Sequence, residues 1–152
     1  MDYALMYTAW NWVCVAAYFG LRGGPAARLF VQGNSLLVLL AVCFVHLLAP
    51  DVLPKMLERQ LGVAVPRVQA FAVDAVAHWL PVALLGIPVP AVAPVSGVAL
   101  LPPITLLLWY ALVRPRIADV YLADLPPALC DRIVAYAIAA YVLLLAGGGV
   151  FL

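Results

Sequence analysis

Two ionisable residues, Asp74 and His78, stand four positions apart inside residues 69–88, QAFAVDAVAHWLPVALLGIP, a stretch otherwise apolar enough to cross a bilayer. Side chains at i and i+4 of a helix share a face, so this carboxylate and this imidazole can meet. A charged group in hydrocarbon is costly, and it usually turns toward a protein interior or a watery cavity where it finds a partner. Such a pair can hold a proton, an ion or a substrate, or act as an acid–base couple. It can also do no more than fasten two helices, at about 0.6 to 2 kcal/mol for each polar contact.

Two further residues join them by depth. At about 1.5 Å of rise per residue, Asp74 lies roughly 9 Å and His78 roughly 15 Å below the charge-rich end of its span. By the same rise His46 lies about 6 Å and Asn11 about 10 Å from that end. The candidate intramembrane polar site is therefore Asp74, His78, His46 and Asn11, with an Asp74–His46 pair bridging adjacent antiparallel spans. Tyr110, Tyr136 and Tyr141 fall in the same half of the membrane, while Asn34, Ser35 and Ser96 stand near the opposite edge.

The helices that must position these groups are read from composition. Of 152 residues, 68% are hydrophobic and 10% charged, and mean hydropathy is +1.12, far from the composition of soluble domains. Apolar windows of bilayer length fall at 4–20, 33–49, 68–87, 95–113 and 133–151. The fold class expected is an all-α polytopic transmembrane helix bundle of about five spans, forming a single transmembrane domain over 1–152.

The connections carry the breakers and the charges. Residues 21–32 hold Gly23-Gly24-Pro25 and read as a surface turn. Residues 50–66 set Leu53, Met56, Leu57 and Leu61 at helical spacing among Lys55, Glu58 and Arg59, which suits a short amphipathic helix in the interface. Residues 88–94, PVPAVAP, are uncharged and read as a tight rigid hairpin; in 114–132, Asp124-Leu-Pro-Pro opens the last helix with Asp124 as a cap. Pro102-Pro103 predict a kink or break, their freed carbonyls met by Thr105, a neighbouring helix or water, and Pro81 a kink near His78. For five spans, Lys55, Arg59, Arg67, Arg114, Arg116 and Arg132 share one side of the membrane, against Arg22 and Arg28 on the other. That bias predicts an integral membrane protein with its amino terminus in the cytoplasm and the first span retained.

Several chemistries lack their parts. There is no H-E-x-x-H, no G-x-S-x-G, no second carboxylate near Asp74, no potassium-filter sequence and no ladder of arginines. The catalytic residues are unknown: a nucleophile beside Asp–His could be Tyr136, Tyr141 or Cys43, and spacing selects none of them. No metal site is assigned. The cofactor is unknown too: a haem between His46 and His78 is opposed by a depth difference of about 9 Å, though one of them could ligate a single pigment magnesium. Cys14, Cys43 and Cys130 read as small buried apolar residues. Trp10, Trp12, Trp109 and Tyr110 read as interfacial belt residues, and Trp79 as packing on the bundle or lining a cavity. A net charge of +1 argues against a nucleic-acid partner.

The leading functional expectation is a non-enzymatic structural or accessory component of a larger membrane assembly. Its partners would be the lipid bilayer and other membrane subunits or further copies of the chain, packed through the 88–94 hairpin and the Ala/Gly face of the last span. The alternative is a proton or small-solute transporter, or an intramembrane enzyme acting on lipid, that uses the Asp–His pair of the third span.

Overall fold

A computed structural model describes residues 7–86, 97–116 and 125–148 of the chain. Every regular element among them is helical: α1 (Tyr7–Gly20), α2 (Pro25–Leu48), α3 (Val52–Leu61), α4 (Arg67–Leu85), α5 (Leu101–Val113) and α6 (Pro127–Gly148). A 3₁₀ turn, Gly97–Leu100, leads into α5, and another, Arg114–Arg116, follows it. The 88–94 connection, Ser96, Asp124 and Gly149 lie outside the described residues.

Among the described residues, four segments are long and apolar enough to cross a membrane: α2, α4, Gly97–Arg116 and Pro127–Gly147. The 24 residues of α2 span about 36 Å and the 19 of α4 about 28 Å, against a hydrocarbon core of about 30 Å. The first window is described only from Tyr7, as the 14 residues of α1.

The bundle is built around α2. Residues 33 to 39 are buried without a break, which a helix achieves only when neighbours cover all its sides. Helices α1, α4, α5 and α6 pack on it. Their outward faces carry Val73, Val76, Leu84, Leu107, Leu112, Leu143 and Leu144, while Asn11, Asn34, Ser35 and Asp74 are inside. Apolar side chains outward and amides inward is the arrangement a helix bundle takes in lipid.

One end of the bundle gathers α3, the end of α5 and the start of α6. Val52, Tyr110, Val113, Leu125, Cys130 and Ile133 form a cluster there. Arg67 pairs with Asp51 at this end, and Arg114 pairs with Asp131, which also accepts a 2.7 Å hydrogen bond from the Tyr110 hydroxyl.

Several expectations change. The turn after α1 is short, because Pro25 does not break a helix but begins one. Its fixed φ and missing N–H suit the first turn, so α2 starts eight residues before the window at 33. That shift moves Asn34 and Ser35 from the membrane edge toward the middle of the helix. Trp79 faces outward, 53% exposed, because it sits about 100° round α4 from His78. Cys43 is likewise on the outside of α2, whereas Cys130 is buried and Cys14 half-buried. Of the belt candidates, Trp10 faces outward, but Tyr110 is buried and Trp12 and Trp109 turn inward.

The prolines act through the carbonyls they leave unpaired. The carbonyl of Ala99 would bond the N–H of residue 102 in a 3₁₀ turn or of residue 103 in an α-helix, and both are proline. The helix is broken there into a 3₁₀ turn and α5, and the Tyr141 hydroxyl of α6 donates to Ala99 O at 2.9 Å. Thr105 Oγ1 donates to Pro102 O at 2.8 Å. In α4, Pro81 deprives the carbonyl of Ala77 of its partner, and the indole N–H of Trp12 in α1 donates to it at 3.0 Å.

Candidate functional site

Asp74 is buried in the middle of α4, and its two carboxylate oxygens are taken by two imidazoles. His46, near the end of α2, places Nε2 2.7 Å from Oδ2. His78, one turn along α4, places Nδ1 3.0 Å from Oδ1 and 2.9 Å from the Asp74 carbonyl oxygen. The far nitrogen of His78, Nε2, lies 3.0 Å from the Thr8 hydroxyl on α1. Three helices therefore converge on one line of polar groups, His46–Asp74–His78–Thr8.

The hydrogen bonds fix the tautomer of His78. A backbone carbonyl only accepts, and Nδ1 faces one, so Nδ1 carries the hydrogen. In the neutral ring Nε2 then holds the lone pair, and the Thr8 hydroxyl donates to it. At His46 a ring N–H donating to carboxylate Oδ2 satisfies both groups.

Of the four residues read as a site from the sequence, the structure brings His46, Asp74 and His78 together and sets Asn11 apart. Asn11, 1% exposed, belongs to a second buried network. Its Oδ1 accepts from Asn34 Nδ2 at 2.8 Å and from Ser35 Oγ at 3.2 Å. The Tyr7 hydroxyl donates to Asn34 Oδ1 and lies 3.0 Å from Thr105 Oγ1. This amide network fastens α1 to α2 and α5.

None of the three nucleophiles considered from spacing hydrogen-bonds to Asp74 or to either imidazole. The Tyr141 hydroxyl is committed to Ala99 O, Tyr136 is 47% exposed and lies against Phe44, and Cys43 faces outward. The residue that does arrive beside the imidazole is Thr8. Its signal in the sequence was weak but present: Thr8, Asn11, Trp12 and Val15 follow the i, i+3, i+4, i+7 spacing of one helix face, the face α1 turns inward.

The polar line forms one wall of a cleft of about 140 Å³. Most of the lining is apolar, with Val38, Val45, Leu106, Trp109 and Val134 from the spanning helices and Met56 from α3. The amphipathic α3 thus turns Val52, Leu53 and Met56 onto the cleft and keeps Lys55 and Glu58 outside. Among the described residues no three His, Cys, Asp or Glu side chains converge on a metal position. The two imidazoles approach separate oxygens of Asp74, which stands between them. No family model, no curated protein and no solved structure matches the chain.

Proposed function

We propose that the chain is an integral membrane protein that binds a small amphipathic, lipid-like molecule. The apolar part lies in the cleft and the polar end at His46, Asp74 and His78. The observation that carries this reading is a buried carboxylate, flanked by two imidazoles, on the wall of an otherwise apolar cleft. Ligand pockets commonly combine apolar walls with a few converging polar groups. A cavity of about 150 Å³ takes a guest the size of benzene, so a cleft of this volume suits the head-proximal part of an acyl chain or one ring rather than a whole lipid.

The test is photo-crosslinking of the purified chain in nanodiscs with palmitic acid and hexadecanol that carry a diazirine near the polar end. Crosslinks to peptides bearing Val45, Met56 or Val134, competed by unmodified ligand and lost in Asp74→Ala, are expected. Crosslinks confined to outward residues such as Leu107 and Leu143, with no competition, refute the reading.

A second reading, a subunit of a larger membrane assembly, is favoured by Ala135 and Ala139. They are one turn apart on α6 and exposed, a spacing at which two helices can approach closely. Native mass spectrometry from nanodiscs distinguishes a single chain from an oligomer. The excess of Lys and Arg at the α3 end supports a cytoplasmic placement of that end and of the amino terminus. Protease access to an amino-terminal tag in sealed vesicles tests it.

A further inference from the structure

The hydroxyl of Thr8 on α1 reaches across to α4, where it meets the lone-pair nitrogen of His78 at 3.0 Å. The opposite nitrogen of that ring is held by the carbonyl and carboxylate of Asp74, and the second carboxylate oxygen is held by His46. The order hydroxyl, imidazole, carboxylate is the one that activates an alcohol as a nucleophile. Each of the three lines the cleft, so a carbonyl carbon bound there can lie against the Thr8 oxygen. Helix fastening does not require this arrangement, since Trp12 already ties α1 to α4 one turn away.

We propose that Thr8 is the nucleophile of an acyl transfer, with His78 as general base and acid and Asp74 as the residue that positions the ring. The substrate class is an ester or thioester of an acyl chain, and the proposal rests on the cleft binding such a chain. As Thr8 Oγ1 bonds the carbonyl carbon, His78 Nε2 takes the hydroxyl proton. The tetrahedral intermediate collapses, the carbon–oxygen or carbon–sulfur bond to the leaving group breaks, and His78 returns the proton to the departing alkoxide or thiolate. The products are an alcohol or thiol and an ester on Thr8. Water deprotonated by His78 then attacks that ester, and the proton passes back to Thr8 as the free acid leaves. No oxidant or reductant is needed.

The experiment treats the full chain in nanodiscs with a β-lactone bearing a long alkyl chain, whose ring opens on a hydroxyl nucleophile and adds its whole mass. Intact-mass and peptide spectra should show one adduct per chain, on Thr8. Thr8→Ser should label at least as fast, being less hindered, and Thr8→Val should not label. Asp74→Asn should slow labelling at least about a hundredfold, the scale of general-base assistance. If neither wild type nor Thr8→Ser forms an adduct at residue 8, or adducts appear only on Cys43 or Lys55, the acyl-transfer proposal is overturned. The diazirine crosslink measured on the same samples separates the two failures. Retained crosslinking without an adduct removes the nucleophile alone, whereas loss of both removes the cleft reading with it.

Discussion

The clamp between α1 and α4 can be tested as a thermodynamic cycle. Trp12 donates its indole N–H to Ala77 O only because Pro81 lacks the N–H that would occupy it. Trp12→Phe therefore leaves a carbonyl without a partner inside the bundle. Interhelical polar contacts in bilayers are worth about 0.6 to 2 kcal/mol, and an orphaned buried group costs about 1 to 3 kcal/mol. Pro81→Ala restores the donor within α4, so the same truncation should then lose only the packing of the larger ring. The coupling energy between the two substitutions should be about 1 to 2 kcal/mol, a five- to thirtyfold difference in the folding equilibrium. Loss of indole volume and of the proline ring appears on both sides of the cycle and cancels. Reversible unfolding of the four proteins in bicelles, followed by far-ultraviolet circular dichroism or steric trapping, gives the four free energies. Additivity within about 0.3 kcal/mol would refute the claim that the proline and the indole form one device.

Other outcomes follow from the same packing. In Gly33→Ala the new Cβ would collide with the Tyr141 hydroxyl and stand 2.9 Å from Pro102 Cγ, so the variant should lose about 1 to 3 kcal/mol, and Tyr141→Phe in the same chain should recover part of it, as read by thermal unfolding. Asn11→Leu removes the acceptor of both Asn34 and Ser35 and should cost about 1 to 3 kcal/mol, more than Asn11→Leu combined with Asn34→Leu and Ser35→Ala, which leaves fewer buried donors unpaired. Maleimide in mild detergent should modify Cys43 first and Cys130 only after denaturation, a sequence that peptide mapping reads directly. Arg114→Ala should leave the melting temperature nearly unchanged because its pair with Asp131 is exposed, while Asp131→Ala should lower it further because the Tyr110 hydroxyl loses its acceptor.

What the sequence discloses here is length and depth, and what it withholds is rotation. Spans are legible because a bilayer demands about 20 apolar residues in a row, and α4 runs within two residues of its window at either end. Depth alone sets His46 and Asp74 at matched levels on neighbouring helices, where the structure has them 2.7 Å apart. Rotation about the helix axis is another matter. In a soluble helix the polar stripe marks the outer face, but a helix that is apolar on every side carries no such mark. Residue type alone therefore points Trp79 and Cys43 inward, and both lie outward. Thr8 is legible only faintly, through its place on one face with Asn11, Trp12 and Val15, a spacing that does not name the partner of its hydroxyl. The start of α2 is obscured for a different reason: Pro25 reads as a breaker in the sequence, although the same ring that ends a helix also begins one well. That single boundary hid the partnership of Asn34 and Ser35 with Asn11.

The two vacated carbonyls differ in when their donors are made. During synthesis from the amino terminus, Trp12 is already in place when Ala77 emerges, so α4 can enter the bilayer with its defect covered. Ala99 must wait for Tyr141, some forty residues later, and until then it presents a bare carbonyl to lipid, a state hydrocarbon penalises by several kcal/mol. The segment Gly97–Arg116 should thus stay beside the insertion machinery or a water-filled space until α6 arrives, and the two should partition into the membrane as a pair. A chain truncated before α6 would strand α5 at that stage, making the last helix the step that releases the protein into the bilayer.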